Sequence, residues 1–272
     1  MTPAYVHGYQ SRESDRLQDQ ADTLVELLHA DTSYPPGCRV LEAGCGVGAQ
    51  TVTLAARSPG PHFVSVDVSA ESVALASKRT ERAGLTNVEF QQGDLFALPY
   101  DDASFDHVFV CFVLEHLPQP VAALAALRRL LKPGGSLTLI EGDHGSAYFH
   151  PRSEAADAAI ACQIELQRAA GGNALIGRAV YPLMVDAGLD SVAVSARMVY
   201  VDGSRPDLIE GFTRRTFTAM IEGVREPAIA AGLITAEGFD EGVRALYRTA
   251  EPDGVFCYTF FKGVGREPID VG

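Results

Sequence analysis

Short apolar runs alternate with amphipathic stretches through the first half of the chain. The apolar runs predict five strands, at residues 39–42, 63–68, 88–91, 105–112 and 136–141. Between them, hydrophobic residues recur three and four positions apart, as they do on the buried face of a helix. Strands separated by helical segments of roughly ten to fifteen residues form parallel sheets with right-handed crossovers. The pattern therefore predicts a doubly wound α/β fold.

A different pattern follows residue 141. Helical periodicity there predicts long helices, at residues 153–170, 177–187, 206–232 and 236–250. β-branched and aromatic runs predict two more strands, at residues 192–201 and 254–262. We expect these strands to extend the same sheet to seven, mostly parallel, with the last strand antiparallel. The helices would then cap its carboxyl edge, in segments 145–188 and 204–250.

The N-terminal region differs from both of these. A polar stretch containing Tyr5 and Tyr9 precedes a predicted helix, and prolines at residues 35–36 end that helix. We expect residues 1–36 to form a helical lid and residues 37–272 to form a single domain with its cap.

Composition indicates a globular protein and limits its partners. Hydrophobic residues make up 47% of the 272-residue chain and charged residues 21%, proportions that supply a sizeable core. The formal net charge is −13, and no basic run is longer than a pair. Because such a surface repels phosphate backbones, we expect no nucleic-acid partner. The same acidity suits a cationic ligand.

The five cysteines have irregular spacing and form no C-x-x-C motif. We therefore expect free thiols in a reducing compartment and no metal site. No apolar run reaches the roughly eighteen residues that span a bilayer, and the N-terminus lacks the pattern of a signal peptide. These features predict a cytoplasmic protein without membrane insertion. A homodimer is compatible with the sequence, which does not decide the oligomeric state.

A glycine-rich loop, Glu42-Ala43-Gly44-Cys45-Gly46-Val47-Gly48, follows the first strand. Glycines permit a tight turn and let a ligand approach the backbone. Ligands of open parallel sheets bind at the carboxyl ends of the strands, where this loop lies. A three-glycine loop alone is a weak signal, because many turns contain glycines.

Three features distinguish the cofactors that such a loop could bind. Its spacing is G-x-G-x-G, not the G-x-G-x-x-G of dinucleotide-binding loops. Glu42 precedes the first glycine and no Lys or Arg follows, which suits an ammonium and a sulfonium better than a pyrophosphate. Asp67 ends the second strand, where a carboxylate can accept hydrogen bonds from both ribose hydroxyls. The alternative for Asp67 is a helix cap or a turn residue.

Further motifs follow in order. Gly93-Asp94 comes after the third strand, where a carboxylate could accept from an adenine amino group. Val113-Leu114-Glu115-His116-Leu117 follows the fourth strand, and Leu130-Leu131-Lys132-Pro133-Gly134-Gly135 precedes the fifth. With the glycine loop and Asp67, this series over residues 38–141 resembles the class I S-adenosylmethionine-dependent methyltransferases, particularly the branch that contains the ubiquinone and menaquinone C-methyltransferases.

The resemblance implies a Rossmann-like methyltransferase fold, S-adenosyl-L-methionine as cofactor and a small-molecule methyl acceptor. It implies that Glu42 and the glycines line the methionine part, Asp67 the ribose and Asp94 the adenine, with Cys111 near the sulfonium. Tyr9 would lie over the cofactor, or belong to a frayed terminus. The expected cofactor-binding residues are Tyr9, Glu42, Gly44, Cys45, Gly46, Asp67, Val68, Gly93, Asp94, Leu95 and Cys111.

A sulfonium methyl is already an activated electrophile, so the protein needs mainly to align the acceptor and exclude water. A hydroxyl or protonated amine acceptor also needs a base. His144 and Asp143 lie in a glycine-containing loop that we expect at the carboxyl edge, and histidine titrates near neutral pH. The alternative is a loop whose side chains bond its own backbone. His116 is a third candidate base, with a structural role as its alternative.

We expect the second half of the chain to determine which methyl acceptor binds. Its apolar side chains predict either a substrate chamber or ordinary core, and they include Phe149, Tyr181, Phe212, Phe217 and Met220. We expect an aromatic or heteroaromatic natural product or a quinone-like ring, with C-, N- and O-methylation all open. The alternatives are a non-catalytic S-adenosylmethionine-binding module and a protein or RNA methyltransferase. An NAD(P)-dependent oxidoreductase is disfavoured by the glycine spacing and by the missing Tyr-x-x-x-Lys pair.

Overall fold

A computed structural model describes residues 20–21 and 23–269. The strands are β1 (Arg39–Ala43), β2 (His62–Asp67), β3 (Val88–Gln92), β4 (Phe105–Cys111), β5 (Leu131–His150), β6 (Asp190–Val201) and β7 (Val255–Arg266). Within the described residues they form one seven-stranded sheet in the order β3-β2-β1-β4-β5-β7-β6. Strands β1 to β5 pair in parallel, and β7 is antiparallel to both of its neighbours. The predicted sheet is confirmed.

Helices cover both faces of this sheet. They are α1 (residues 20–21 and 23–29), α2 (Ala49–Arg57), α3 (Ala70–Arg82), α4 (Pro120–Arg128), α5 (Glu154–Ala169), α6 (Val180–Asp186), α7 (Pro206–Leu208), α8 (Ala219–Gly223), α9 (Arg225–Ala230) and α10 (Ala236–Arg248). Two 3₁₀ segments, Leu114–His116 and Ile176–Ala179, and a π-helix, Ile209–Thr218, complete the described set. No helix among the described residues is long and apolar enough to cross a membrane.

The core consists of two apolar layers, because successive side chains of a strand point to opposite faces. On one face, Phe109 packs with side chains of α1, α2, α5 and α10, such as Leu24 and Phe239. On the other face, Leu139 packs with side chains of α4 and α6, such as Leu124. Strands β1, β2 and β4 are thus buried on both sides, as their near-continuous apolar sequences require.

Short sequence signals set several helix boundaries. The hydroxyl of Ser69 accepts a hydrogen bond from the backbone N–H of Ser72 and caps the start of α3, as serine commonly does. Ser153 begins α5 in the same way, through the N–H of Ala156. Helix α4 ends at Arg128, and Leu131 already pairs with Phe105 in the sheet.

Strand β5 is longer than predicted. The sequence predicts a strand ending at residue 141 and then a loop, but β5 continues to His150, which pairs with Val255 of β7. The glycines in this segment suggest a loop, whereas the long partner strand supplies a ladder of hydrogen bonds, with one irregularity after Asp143. The expected loop is therefore wrong: Asp143 pairs with Thr259, and His144 follows it on β5 in the irregular stretch before Tyr148.

The predicted helix at residues 206–232 is divided. Helix α7, the π-helix and α8 follow one another, and Val224 separates α8 from α9. A π-helix bonds residue i to residue i+5 and is rare. Phe212 and Phe217, five residues apart in this segment, both contact the ring of Tyr258. The π-helix thus presents both rings to the same strand.

Lysine 262 attaches α1 to the sheet. Lys262 lies on β7, is buried, and donates from Nζ to the carbonyl of Leu28 (3.2 Å), to Asp31 Oδ1 (2.6 Å) and to Thr32 Oγ1 (2.6 Å). These acceptors use the three protons of the ammonium group. The end of α1 is therefore held against β7. The division of the chain into an N-terminal lid and a domain with a helical cap stays a prediction.

Candidate functional site

The glycine loop between β1 and α2 has a left-handed backbone at each of its glycines. The φ angles are 76° at Gly44, 51° at Gly46 and 79° at Gly48. A Cβ added at Gly44 would lie 2.4 Å from Val113 Cγ2, whereas one added at Gly46 would meet nothing within 4 Å. Gly44 therefore permits a close approach of the turn after β4. Gly46 leaves open space beside the backbone.

Asp67 joins this loop to the end of β2. Its Oδ2 accepts from the backbone N–H of Gly46 (2.9 Å) and its Oδ1 from that of Ser69 (2.9 Å). Each carboxylate oxygen has a further lone pair, so Asp67 can still accept from hydroxyl groups of a ligand. The alternative role as the cap of α3 is filled by the Ser69 side chain.

Glu42 is buried beneath the loop. Its Oε2 accepts from Thr51 Oγ1 (2.7 Å) and Ser65 Oγ (2.6 Å). Burial raises the pKa of Glu42 to about 7, although the two hydroxyl bonds act in the opposite direction. A cationic group placed nearby would favour the ionised carboxylate.

The ends of β2 and β3 lie side by side and continue the same edge. Asp67 pairs with Gln92, and the N–H of Gly93 donates to the carbonyl of Asp67 (2.9 Å). Asp94 is exposed and its Oδ1 accepts from the N–H of Phe96 (3.0 Å). Three further predicted site residues adjoin these ends, with Cys45 buried in the loop, Leu95 half-buried and Val68 43% exposed. Tyr9 lies outside the described residues.

Cys111 ends β4 beside the glycine loop, since the preceding Val110 pairs with Ala43. Burial raises the pKa of the Cys111 thiol well above its usual range, so the thiol is neutral. The next residue, Phe112, has a φ of 57°, a conformation that is uncommon for residues other than glycine. Strained backbone thus borders the predicted sulfonium position.

His144 and Tyr258 form a buried pair between β5 and β7. His144 Nδ1 lies 2.7 Å from the Tyr258 hydroxyl oxygen, and the imidazole also contacts the ring of Phe217. Burial and nearby carboxylates raise the pKa of Tyr258 well above its usual range, so it remains a neutral phenol. The sequence analysis missed Tyr258. Its alternation with Phe256 and Phe260 indicates a shared strand face, but no local signal identifies β5 as the partner.

Asp143 is paired with a different residue from His144. Arg178 donates from Nε to Asp143 Oδ2 (2.7 Å) and from its terminal NH2 group to Oδ1 (2.8 Å). Neighbouring side chains of a strand point to opposite faces, so adjacency in sequence does not make this acid the orienting partner of His144. The guanidinium engages both oxygens of Asp143.

His116 lies in the 3₁₀ turn after β4. Its Nε2 is 3.6 Å from Glu115 Oε1. Gln167 of α5 donates to the carbonyl of Glu115 (3.0 Å) and to its Oε2 (3.1 Å). The turn is therefore tied to α5, and a role for His116 as a base stays a prediction.

Most of the apolar residues proposed for a substrate chamber lie in the core layer between the sheet and helices α5 and α10. Phe212, Phe217 and Met220 are buried there, and Phe149 stacks on Phe256 with ring centroids 6.3 Å apart. Tyr181 is 56% exposed on α6, a helix of the other layer. The expectation that Tyr181 lines this chamber is wrong, because α6 lies on the opposite face of the sheet.

No group of three or more His, Cys, Asp or Glu residues in the described part of the chain could hold a metal ion. The five cysteines are free.

Part of the chain matches a known protein family. Residues 41–139 match the family model described as a methyltransferase domain. An uncharacterized 37.1 kDa protein in transposon TN4556 of Streptomyces fradiae is 36% identical over 221 residues, 80% of this chain and 61% of that protein. The 27-O-demethylrifamycin SV methyltransferase of Amycolatopsis mediterranei is 32% identical over 134 residues, 49% of each chain. The chain thus spans only part of the length of these curated relatives.

A solved structure shares the fold. The phosphoethanolamine N-methyltransferase 2 of Haemonchus contortus, in complex with phosphomonomethylethanolamine and S-adenosylhomocysteine, aligns with a TM-score of 0.57 at 18% identity. The alignment covers 91% of this chain and 53% of that one. At this identity the similarity concerns the fold alone, and the glycine loop and the matched domain carry the assignment. Residues 41–139 thus match a methyltransferase domain, and over this region the predicted resemblance to the class I S-adenosylmethionine-dependent methyltransferases is confirmed.

Proposed function

We propose that this protein transfers the methyl group of S-adenosyl-L-methionine to a small-molecule acceptor. The observation that carries the proposal is the arrangement of Glu42, Gly46 and Asp67 at adjoining strand ends, where two carboxylates flank an open stretch of backbone. Such a site suits a ligand with a cationic methionine part and a ribose better than a pyrophosphate.

The described residues fit this cofactor. Gly46 has space beside it, Asp67 retains acceptor capacity, and Glu42 is a buried acid whose ionised form a cation would stabilise. We assign Glu42 and the loop to the methionine part, Asp67 to the ribose and Asp94 to the adenine. When bound, the cofactor supplies an electrophilic methyl group on a sulfonium; the protein aligns the acceptor and keeps water out.

We assign proton transfer to His144. Its Nδ1 lies 2.7 Å from the Tyr258 hydroxyl oxygen, and an imidazole exchanges protons near neutral pH. Phe217 packs against the imidazole and excludes water from it. Asp143 already forms an ion pair with Arg178. We therefore assign it a structural role in β5 and not the role of a base.

We propose an apolar, aromatic or quinone-like acceptor, with natural-product biosynthesis as the setting. The support is the buried aromatic layer over β7 and the activity of the Amycolatopsis relative, a 27-O-demethylrifamycin SV methyltransferase. The acidic net charge of −13 disfavours an RNA or DNA acceptor. We propose a cytoplasmic location, which the free thiols suit. A homodimer stays a prediction for sedimentation to test.

A methyl-transfer screen tests the proposal. The protein is incubated with S-adenosylmethionine labelled in its methyl group and with a panel of small phenols, aromatic amines and quinols. Parallel reactions contain total RNA or a mixture of proteins. We expect label in small organic products and not in the macromolecules. Label confined to RNA or protein would contradict the acceptor class, and binding of the cofactor without any transfer would indicate a non-catalytic module.

A further inference from the structure

The turn after β4 rests directly on the glycine loop. Val113 Cγ2 occupies the place that a side chain at Gly44 would take, 2.4 Å from the position of its Cβ. On the other side of the loop, the N–H groups of Gly44 and Cys45 both donate to the carbonyl of Val66, at 2.8 and 2.9 Å. The path of the loop therefore depends on where Val113 lies.

This turn has an unfavourable backbone conformation. Phe112 has a φ of 57°, and a residue other than glycine keeps such a conformation only when its surroundings determine it strongly. The N–H of Phe112 donates to the carbonyl of Ile140 (2.9 Å). Strand β5 thus supplies one bond that holds the turn in place.

Glu141, the next residue of β5, supplies two more. Its Oε1 accepts from the N–H of Val113 (3.1 Å) and from that of Leu114 (2.7 Å). The side chain is fully buried, and Oε2 has no hydrogen-bond partner among the described residues. Burial, followed by the nearby Glu115, raises the pKa of Glu141 well above its usual range. One buried carboxyl oxygen therefore holds both amides that follow the strained residue.

We propose that Glu141 is a positioning residue of the cofactor site, which holds Val113 against Gly44 and so fixes the glycine loop. Glu141 is in none of the sets of residues assigned to the cofactor or to proton transfer. The inference rests on the proposed function, because cofactor affinity is its readout.

Two substitutions separate positioning from stability. In Glu141→Asp the side chain is one methylene shorter, so the carboxyl group is kept but no longer reaches both amides. In Glu141→Gln the side-chain oxygen can replace Oε1 and keep both hydrogen bonds to the turn. The side-chain nitrogen then replaces Oε2, and no described group there accepts its hydrogens. We expect Glu141→Gln to lose stability and to keep its cofactor site.

A matched control comes from the same strand. Thr138 is buried on β5, three residues before Glu141 and roughly 10 Å away along the strand. Thr138→Ala removes a buried hydroxyl without touching the turn or the loop. It reports how much cofactor affinity changes when β5 is merely destabilised.

The experiment is calorimetric titration of each full-length protein with S-adenosylhomocysteine, beside melting temperature and hydrogen exchange at Val113 and Leu114. We expect Glu141→Asp to bind about tenfold more weakly and to lose protection at both amides. Glu141→Gln and Thr138→Ala should melt at lower temperature and bind as the wild type does. Wild-type affinity in Glu141→Asp, or equal losses in Thr138→Ala, would overturn the inference. Failure of the wild type to bind would instead count against the proposed function, and the exchange data would still test the turn.

Discussion

The two halves of the carboxyl edge are built differently. In the half that we propose binds the cofactor (the cofactor half, at β1 to β3), Gly46 and Asp67 are bonded across 21 residues of sequence. In the half that we propose binds the acceptor (the acceptor half, at β5 and β7), His144 and Tyr258 are bonded across 114 residues. The first half is formed by motifs that follow consecutive strands. The second depends on a late strand that enters the sheet between β5 and β6.

The halves also differ in exposure. Asp94 and Val68 are exposed at the cofactor half, whereas His144 and Tyr258 are buried. A polar ligand can reach the first group, while the second is enclosed by aromatic rings of the π-helix and β7. We infer that the cofactor binds without the acceptor and that the two halves can be disabled separately.

The largest expected effect is a loss of methyl transfer on substitution in the acceptor half, without a change in cofactor affinity. His144→Ala should lower methyl transfer about 10²- to 10⁴-fold, the usual contribution of a general base, and leave the affinity for S-adenosylhomocysteine unchanged. Initial rates with an acceptor from the methylation screen, beside a calorimetric titration, measure both. Tyr258→Phe is the matched variant; it keeps the ring and removes the hydroxyl at 2.7 Å from Nδ1, so we expect a smaller loss. Full turnover of His144→Ala would remove His144 from the mechanism.

Asp67→Ala should instead weaken cofactor binding. This change removes the acceptor for the ribose hydroxyls and releases the N–H of Gly46. A charge-assisted hydrogen bond contributes about 1.5–3 kcal/mol, so we expect affinity for S-adenosylhomocysteine to fall by about ten- to a hundredfold. Asp94→Ala, at an exposed position on the same edge, should lose less. Unchanged calorimetric affinity in Asp67→Ala would contradict the placement of the cofactor half.

Much of the cofactor half could be predicted from the sequence because its signals are local. The glycine loop, Asp67 at the end of β2 and Ser69 as the cap of α3 each depend on neighbours within a few residues or on a parallel partner. The extension of β5 through His144 could not be predicted, because its ladder partner lies in β7. The pairing of Asp143 with Arg178 and the exposure of Tyr181 likewise depend on tertiary packing.

Within the cofactor half, two glycines should respond differently to the same change. Gly44 and Gly46 both have positive φ, so alanine at either is strained by about 1–2 kcal/mol. At Gly44 the new Cβ would also lie 2.4 Å from Val113, whereas at Gly46 it would meet nothing within 4 Å. We expect Gly44→Ala to lower the free energy of unfolding more, as measured by urea denaturation. Equal losses would argue against the close contact with Val113.

The smallest expected effect is a pH dependence at Glu42. Burial raises its pKa from 4.5 in the unfolded chain to about 7 in the folded one. The folded state thus holds the proton more tightly, and the contribution to stability is complete below the unfolded pKa and lost as pH rises through 7. A bound ammonium favours the carboxylate, so affinity for S-adenosylhomocysteine should rise over the same range. Glu42→Gln should flatten both profiles, and an unchanged slope in that variant would assign the titration to another group.

The measurement that tests the central claim most directly is calorimetric titration of the wild-type protein with S-adenosylhomocysteine, run beside NADH. The arrangement of Glu42, the open Gly46 and Asp67 predicts saturable binding of S-adenosylhomocysteine and none of NADH. Binding of NADH instead, or of neither ligand, would contradict the assignment of this loop to S-adenosylmethionine.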